Sequence, residues 1–407
     1  MGKENKGISR RDMLKMSVVT GTSLAIGAGG LGFVSELTKP KEKVAEADMN
    51  DIIPFYGPHQ AGISAPQQKY SYLAAFDLKT TRRDQVIQLL KDWTKQSELF
   101  TAGNWEQNSS NNLLPPDDTG ETVGLSANNL TITFGFGPTF FSKDGVDRFG
   151  IATKQPKHLK VIPHMPHDNL DESISNGDLC IQVCSNNQQV AFHAIRNFIN
   201  QGISSTAIRW IQSGFIEGPS GETPRNLFGF KDGTANRDPK SSGFDSVVWA
   251  GENEPKWMQG GTYLTYRKIR MFLEIWDRDS LQDHEDTFGR KKQSGAPYGK
   301  VHEKDTVDPS KMPADSHVGL IARTGKEIFR KGYSYTNGID PKTGNVQAGL
   351  MFVSFQKNPD DSLIPMLRLL SERDTLNEYT QHIASAMFAC PRGIKKGEYI
   401  AQSLFEE

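Results

Sequence analysis

Apolar positions along this chain switch between a two-residue and a 3.6-residue period, and each switch marks an element. Residues 70–78 carry the first strand signal. A helix follows, with Val86, Leu89, Leu90 and Trp93 at i, i+3, i+4 and i+7. Leu130, Ile132 and Phe134 alternate through 130–137. Leu179, Ile181 and Val183 alternate with Cys180, Gln182 and Cys184, so two more strands are predicted. Ala191, Ala194, Ile195 and Phe198 share one face of a second helix, and 204–215 reads as a further strand. The second half repeats the theme. Residues 263–276 read as one long strand, with Ile269, Met271, Leu273 and Ile275 opposing Lys268, Arg270 and Glu274. Residues 350–355 are apolar, as in a strand covered on both faces. Leu363, Met366, Leu367 and Leu370 mark a helix whose first turn tolerates Pro365. Residues 48–68 are rich in proline and glycine, and 104–122 are polar; both read as irregular, the second as an insertion loop. Strands and helices mix in each half, which argues an α+β chain and leaves the topology open.

The N-terminus changes the picture. Ser9-Arg10-Arg11-Asp12-Met13-Leu14-Lys15 precedes an uncharged run over 16–35, and Ala45-Glu46-Ala47 offers a small-residue cleavage pattern. This layout is that of a twin-arginine signal peptide over 1–47, and it predicts export in the folded state, to a periplasm, the cell surface or the medium. The run is long enough for a membrane span, but its glycines make a poor anchor. Gly27-Ala28-Gly29-Gly30-Leu31-Gly32 satisfies G-x-G-x-x-G. A dinucleotide site needs a strand before that motif and a helix after it; here a basic head precedes and a cleavage site follows, so that reading is dropped. The 407 residues hold 47 Lys and Arg against 48 Asp and Glu. Removing 1–47 leaves the chain mildly acidic, so no electrostatic case exists for a nucleic-acid partner.

Three cysteines make no disulfide framework. Cys180 and Cys184 share one predicted strand, roughly 13 Å apart and beyond disulfide reach. No C-x-x-C or H-E-x-x-H pattern occurs. His164, His167 and Asp168 have the residue types of a metal site, but they lie in a proline-containing loop and read as surface residues.

The segment Arg225-Asn226-Leu227-Phe228-Gly229-Phe230-Lys231-Asp232-Gly233-Thr234-Ala235-Asn236 carries the chemistry. Asp-Gly is by default a tight turn. Phe228 and Phe230 are not needed beside an exposed turn, and they open a second reading: a general acid–base carboxylate held by packing in a partly apolar pocket. The residues alone leave both readings open. His317 is one of nine histidines, and Arg330 beside Lys331 reads equally as a solvated pair.

The stretch from Gly229 to Asn236 resembles the GxxDG signature of dye-decolourising peroxidases. Asp315-Ser316-His317-Val318 is similar to that family's axial-histidine segment. Arg330-Lys331-Gly332-Tyr333-Ser334-Tyr335, opening 13 residues after His317, is similar to its R-R-G-Y-S-Y segment. Tyr56-Gly57-Pro58-His59, Phe134-Gly135-Phe136-Gly137, Gly261-Thr262-Tyr263 and Trp276-Asp277-Arg278 extend the likeness from about residue 56 to the C-terminus. It is nearest the exported, Efe-type deferrochelatase/peroxidase branch. The resemblance implies two ferredoxin-like halves in a dimeric α+β barrel-like fold, each an antiparallel sheet with helices on one face, over 48–215 and 261–407, joined by 216–260. It implies haem b in the C-terminal half, with His317 as axial ligand of the iron. It also implies Asp232 and Arg330 as the catalytic pair, Arg330 reaching the cofactor, and Gly233, Thr234 and Ala235 along the ring edge. Hydrogen peroxide and a one-electron donor (a dye, a phenol or ferrous iron) are the implied substrates. Membrane components of iron uptake are the implied partners, and a homo-oligomer is admitted. The chemistry suits the residue types: imidazole as axial donor, carboxylate as proton carrier, guanidinium as a permanent cation.

The match has gaps. Gly319-Leu320-Ile321-Ala322-Arg323-Thr324 departs from the family pattern after the histidine, and Lys331 replaces an arginine. The carboxylate that should orient His317 is not evident. Asn358 stands where relatives carry aspartate, with Asp360 and Asp361 close by, so Asn358 is expected beside His317. Three functions follow from the resemblance: a haem peroxidase, a deferrochelatase that releases iron from haem, or a non-enzymatic haem carrier serving an iron importer. A carrier has no need of Asp232 and Arg330 together.

Overall fold

The computed structural model describes residues 51–105 and 113–406. The signal peptide read over 1–47 lies outside them. In the N-terminal half, β1 (Tyr70–Leu78), β2 (Thr131–Phe136), β3 (Leu179–Ser185) and β4 (Thr206–Phe215) stand in the order β2-β3-β1-β4, all antiparallel. Helices α1 (Arg83–Thr101) and α2 (Gln188–Gly202) cross over between them. α1 buries the Val86, Leu89, Leu90 and Trp93 face read from the sequence. α2 starts where the Asn187 side chain accepts from the Gln189 and Val190 amides, satisfying donors that the first turn leaves free.

The C-terminal half repeats this order. β5 (Thr262–Met271) lies between β9 (Thr380–Cys390) and β8 (Val346–Gln356). β8 in turn pairs with β7 (Tyr333–Ile339) and the short β6 (Phe329–Arg330). Helices α3 (Leu281–Phe288), α4 (His317–Thr324) and α5 (Leu363–Arg373) belong to this half. Single residue pairs stitch the two sheets together, Phe136 with Ala389 and Phe215 with Ser334, and the nine strands close into a barrel.

Closure buries β3 on both faces, each against a different core, whereas β4 leaves Ile208, Ile211 and Phe215 exposed. Leu179, Ile181 and Val183 join the cluster under the helices. Cys180 and Cys184 join the barrel interior with Trp210, Tyr266, Tyr333, Phe388 and Cys390. At the seam, a Cβ on Gly135 would stand 2.8 Å from both Cys180 Sγ and Phe388 Cβ, so only glycine lets the sheets approach. All three cysteines are free and buried, and burial pushes their thiols up, which makes them inert packing groups.

Two sequence expectations change. The strand read over 263–276 ends at Met271, because its partner β9 begins at the facing Thr380 and no ladder continues. Phe272 turns the chain into a short helix, Leu273–Trp276, which buries Trp276 and exposes Ile275. The insertion loop is anchored: Asp118 and Glu121 approach the fully buried His193 of α2 at 3.1 and 3.2 Å, one on each ring nitrogen. No helix among the described residues is long and apolar enough to cross a membrane.

Candidate functional site

The helix-covered face of the C-terminal sheet encloses a cavity of about 440 Å³. Its floor is set by strand alternation: Arg267, Ile269 and Met271 come from β5, Thr380 and His382 from the facing positions of β9. α5 contributes the helical stripe Leu363, Met366, Leu367 and Leu370, and α4 contributes His317, Val318, Ile321 and Ala322. A mostly apolar wall with a few convergent polar groups is the usual make-up of a small-molecule site.

His317 is the first residue of α4, after the N-cap Ser316. Its Nδ1 lies 2.6 Å from Asp374 Oδ2, and Asp374 Oδ1 accepts from the Leu376 amide at 2.9 Å. The Asp374 side chain is only 4% exposed. A carboxylate only accepts, so the ring proton sits on Nδ1 and Nε2 keeps its lone pair for a metal. This corrects the expectation for Asn358. That residue accepts from the Asp361 amide at 3.2 Å, while Asp360 pairs with His158 and Lys160, and Asp361 with Lys326. The partner of His317 comes from the far end of α5, a proximity that sequence spacing does not reveal.

Asp232 and Arg330 meet in the same cavity, with Arg330 Nη2 3.0 Å from Asp232 Oδ1. The two readings of Asp232 prove compatible. Gly233 has φ +100° and makes the turn, while the carboxylate lines the cavity. Phe228 and Phe230 anchor the loop in the core; Phe230 stacks on Phe288 at 4.0 Å. Thr234 and Ala235 line the wall, whereas Gly233 turns the chain without lining it. Thr234 Oγ1 donates to Glu303 Oε1 at 2.9 Å, and Glu303 also accepts from Thr223 and from Lys231. Burial works to raise the Glu303 carboxyl, but these donors outweigh it and hold it below the usual range. Arg290 joins Arg267 and Arg330 in lining the cavity; burial pulls it down, Glu303 offsets part of that, and Arg330 adds to the fall.

Lys331 points away from the cavity. Its Nζ donates to the carbonyls of Gly62 at 2.8 Å and Ala65 at 2.6 Å, binding the N-terminal segment to the link between β6 and β7, and burial lowers it to about 8. The loop at 164–168 divides. His164 and His167 are exposed as read, but the Asp168 side chain is buried in an ion pair with Arg267. Arg267 Nε also meets His382 Nδ1 at 2.9 Å. Among the described residues no cluster of His, Cys, Asp and Glu is arranged to hold a metal ion directly. Asp374, Glu303, Arg290 and Arg267 were not singled out from the sequence, and none stands in a motif that would mark it.

These features fit a haem group. The cavity is mostly apolar, His317 is oriented through Nδ1 by Asp374 while the Nδ1 of His382 on the floor is engaged by Arg267, and the Asp232–Arg330 pair shares the space. Comparison with known proteins agrees. A family model described as Dyp-type peroxidase, N-terminal, matches residues 60–216, and one described as Dyp-type peroxidase, C-terminal, matches 223–395. The deferrochelatase of Escherichia coli (strain K12) is 33% identical over 423 residues, covering 99% of each chain. That of Yersinia pseudotuberculosis serotype I is 35% identical, covering 98% of this chain and 94% of the relative. Ferric DtpA from Streptomyces lividans superposes with a TM-score of 0.80 at 34% identity, covering 88% of this chain and 97% of the other. A DyP-type peroxidase from Cellulomonas bogoriensis gives 0.78 at 32% identity, covering 88% and 98%.

Proposed function

This chain belongs to the Dyp-type peroxidase family and is a haem peroxidase acting on peroxide and a reducing substrate, and on that premise we propose a specific reading of its site. The cofactor would be haem b, held by His317 through Nε2, with Thr234 and Ala235 on the wall of its cavity. The oxidant is hydrogen peroxide. The donors are dyes, phenols or ferrous iron.

When bound, the haem supplies the redox chemistry. The chain supplies position and protons. Asp374 holds His317 by Nδ1 and makes the imidazole a stronger donor. Asp232 Oδ1 is engaged by Arg330, and Oδ2 takes no partner among the described residues. Oδ2 is therefore free to take up and hand on a proton as hydrogen peroxide reacts in this cavity. The Arg330 guanidinium opposes the negative charge on the departing oxygen, in an apolar cavity where a fixed charge acts strongly. The observation that carries this reading is the presence in one cavity of a His–Asp pair at 2.6 Å and an Asp–Arg pair at 3.0 Å.

The test is stopped-flow spectroscopy of the haem-loaded chain with hydrogen peroxide. Asp232→Asn and Arg330→Leu should each keep the Soret band and slow the reaction by about 10²-fold or more. An Asp232→Asn variant that reacts at the native rate would leave Arg330 as the sole contributor and remove Asp232 from the mechanism. A second reading, release of iron from haem, is favoured by the deferrochelatases to which this chain is 33–36% identical. Fluorescence of free protoporphyrin after incubation with haem tests it, and no porphyrin signal excludes it. The Asp232–Arg330 pair counts against a mere carrier. Export by the twin-arginine route and a link to membrane components of iron uptake complete the proposal; they rest on residues 1–47 and on those relatives.

A further inference from the structure

Arg330 lies in β6, a two-residue strand at the end of the strand order whose neighbour among the described residues is β8. An edge strand leaves backbone N–H and C=O groups unpaired. Here both of Arg330's groups go to one side chain. Arg330 N donates to Asn236 Oδ1 at 3.0 Å, and Asn236 Nδ2 donates to Arg330 O at 2.7 Å. The amide stands in for a neighbouring strand, and its donor and acceptor ends match the two backbone groups.

Asn236 also belongs to the loop that carries Asp232. Its own N–H donates to Gly233 O at 3.0 Å, closing the turn after the aspartate. Arg330 Nη2 then reaches Asp232 Oδ1 at 3.0 Å. The bonds form a closed circuit: Asp232, the Gly233 turn, Asn236, the Arg330 backbone, the Arg330 guanidinium, and Asp232 again. Two segments 94 residues apart are thereby held at one spacing by a single amide. Asn236 lines the cavity and is half-buried, so shortening it opens room for water and leaves the core intact.

We propose that Asn236 is a positioning residue for Arg330: by pairing with its backbone, the amide sets where the guanidinium stands relative to Asp232 and hence the rate of peroxide activation. This rests on the roles given to Asp232 and Arg330 above. A displacement of about 1 Å at a reacting group can cost about 10²-fold in rate, and loss of two backbone anchors permits one of that size.

The experiment uses the haem-loaded full chain and the variants Asn236→Ala, Asn236→Asp, Arg330→Leu and Asn236→Ala/Arg330→Leu. Asn236→Ala should retain the native melting temperature and haem affinity, react with hydrogen peroxide about 10- to 100-fold more slowly, and bind cyanide more weakly. Asn236→Asp keeps the acceptor but sets a carboxylate against the Arg330 carbonyl, and should be as slow. The double variant should be no slower than Arg330→Leu alone, because a residue acting through another adds nothing once that other is gone. A native rate in Asn236→Ala or Asn236→Asp overturns the proposal. So do multiplicative losses in the double variant, and so does a rate loss matched by a fall in melting temperature or haem affinity. If Arg330→Leu itself reacts at the native rate, the reading of Arg330 fails; if only the Asn236 variants do, the failure belongs to Asn236.

Discussion

At the scale of single residues, the sharpest correction is the partner of His317. Residue order pointed to Asn358, whereas the structure puts Asp374 Oδ2 2.6 Å from Nδ1. A carboxylate there makes the imidazole more anionic and favours the ferric state. Asp374→Asn should raise the ferric/ferrous potential and weaken haem retention by about 10- to 100-fold, whereas Asn358→Asp should leave both unchanged. Spectroelectrochemistry with a haem-transfer assay measures this, and a shift on changing Asn358 would contradict the geometry. The motif residues were legible because glycine, aspartate and two phenylalanines in one short segment have few uses. Asp374 was not, because an aspartate that begins a loop after a helix looks like any other until the chain folds back.

At the scale of elements, the insertion loop is more than a polar connection. Asp118 and Glu121 clasp His193 of α2, and Arg196 on the next turn of α2 pairs with Glu121 at 2.9 Å. Burial works to raise the Glu121 carboxyl, but hydrogen bonds from Thr119, its own backbone, Arg196 and His193 overcome it and hold it at about 2. A carboxylate depressed from 4.5 contributes stability that is fully present above that value and is lost as pH falls towards 2. Hydrogen exchange should therefore show the contact between this loop and α2 opening between about pH 4.5 and 2, and Glu121→Gln should open it already at neutral pH. Equal protection in both proteins across that range would show that the clasp contributes nothing. The loop read as irregular because polar sequence carries no period. Its anchoring depends on a helix more than 60 residues downstream, which no local pattern encodes.

At the scale of the whole molecule, the described residues form one barrel fed by two similar halves, and residues from both share the helix-side core. Replacing Arg10 and Arg11 with lysine should hold the precursor inside the cell, measured by fractionation; normal export of that variant would argue for a general secretory route. Sequence alone determined the α+β character and most strand and helix positions, because side-chain period follows directly from backbone geometry. It also marked Asp232, His317 and Arg330 through local motifs. It overran β5, because a strand ends where its neighbour ends, and that neighbour lies more than 100 residues away in the chain. The barrel-like fold was implied by the resemblance; only the tertiary structure decided that its seams are the single pairs Phe136–Ala389 and Phe215–Ser334, that Asp374 orients His317, and that the Asn236 amide pairs with the backbone of Arg330. Each of these is a contact between segments far apart in the chain. Such contacts are set by packing and hydrogen-bond satisfaction in three dimensions, which leave no period and no motif in the order of residues.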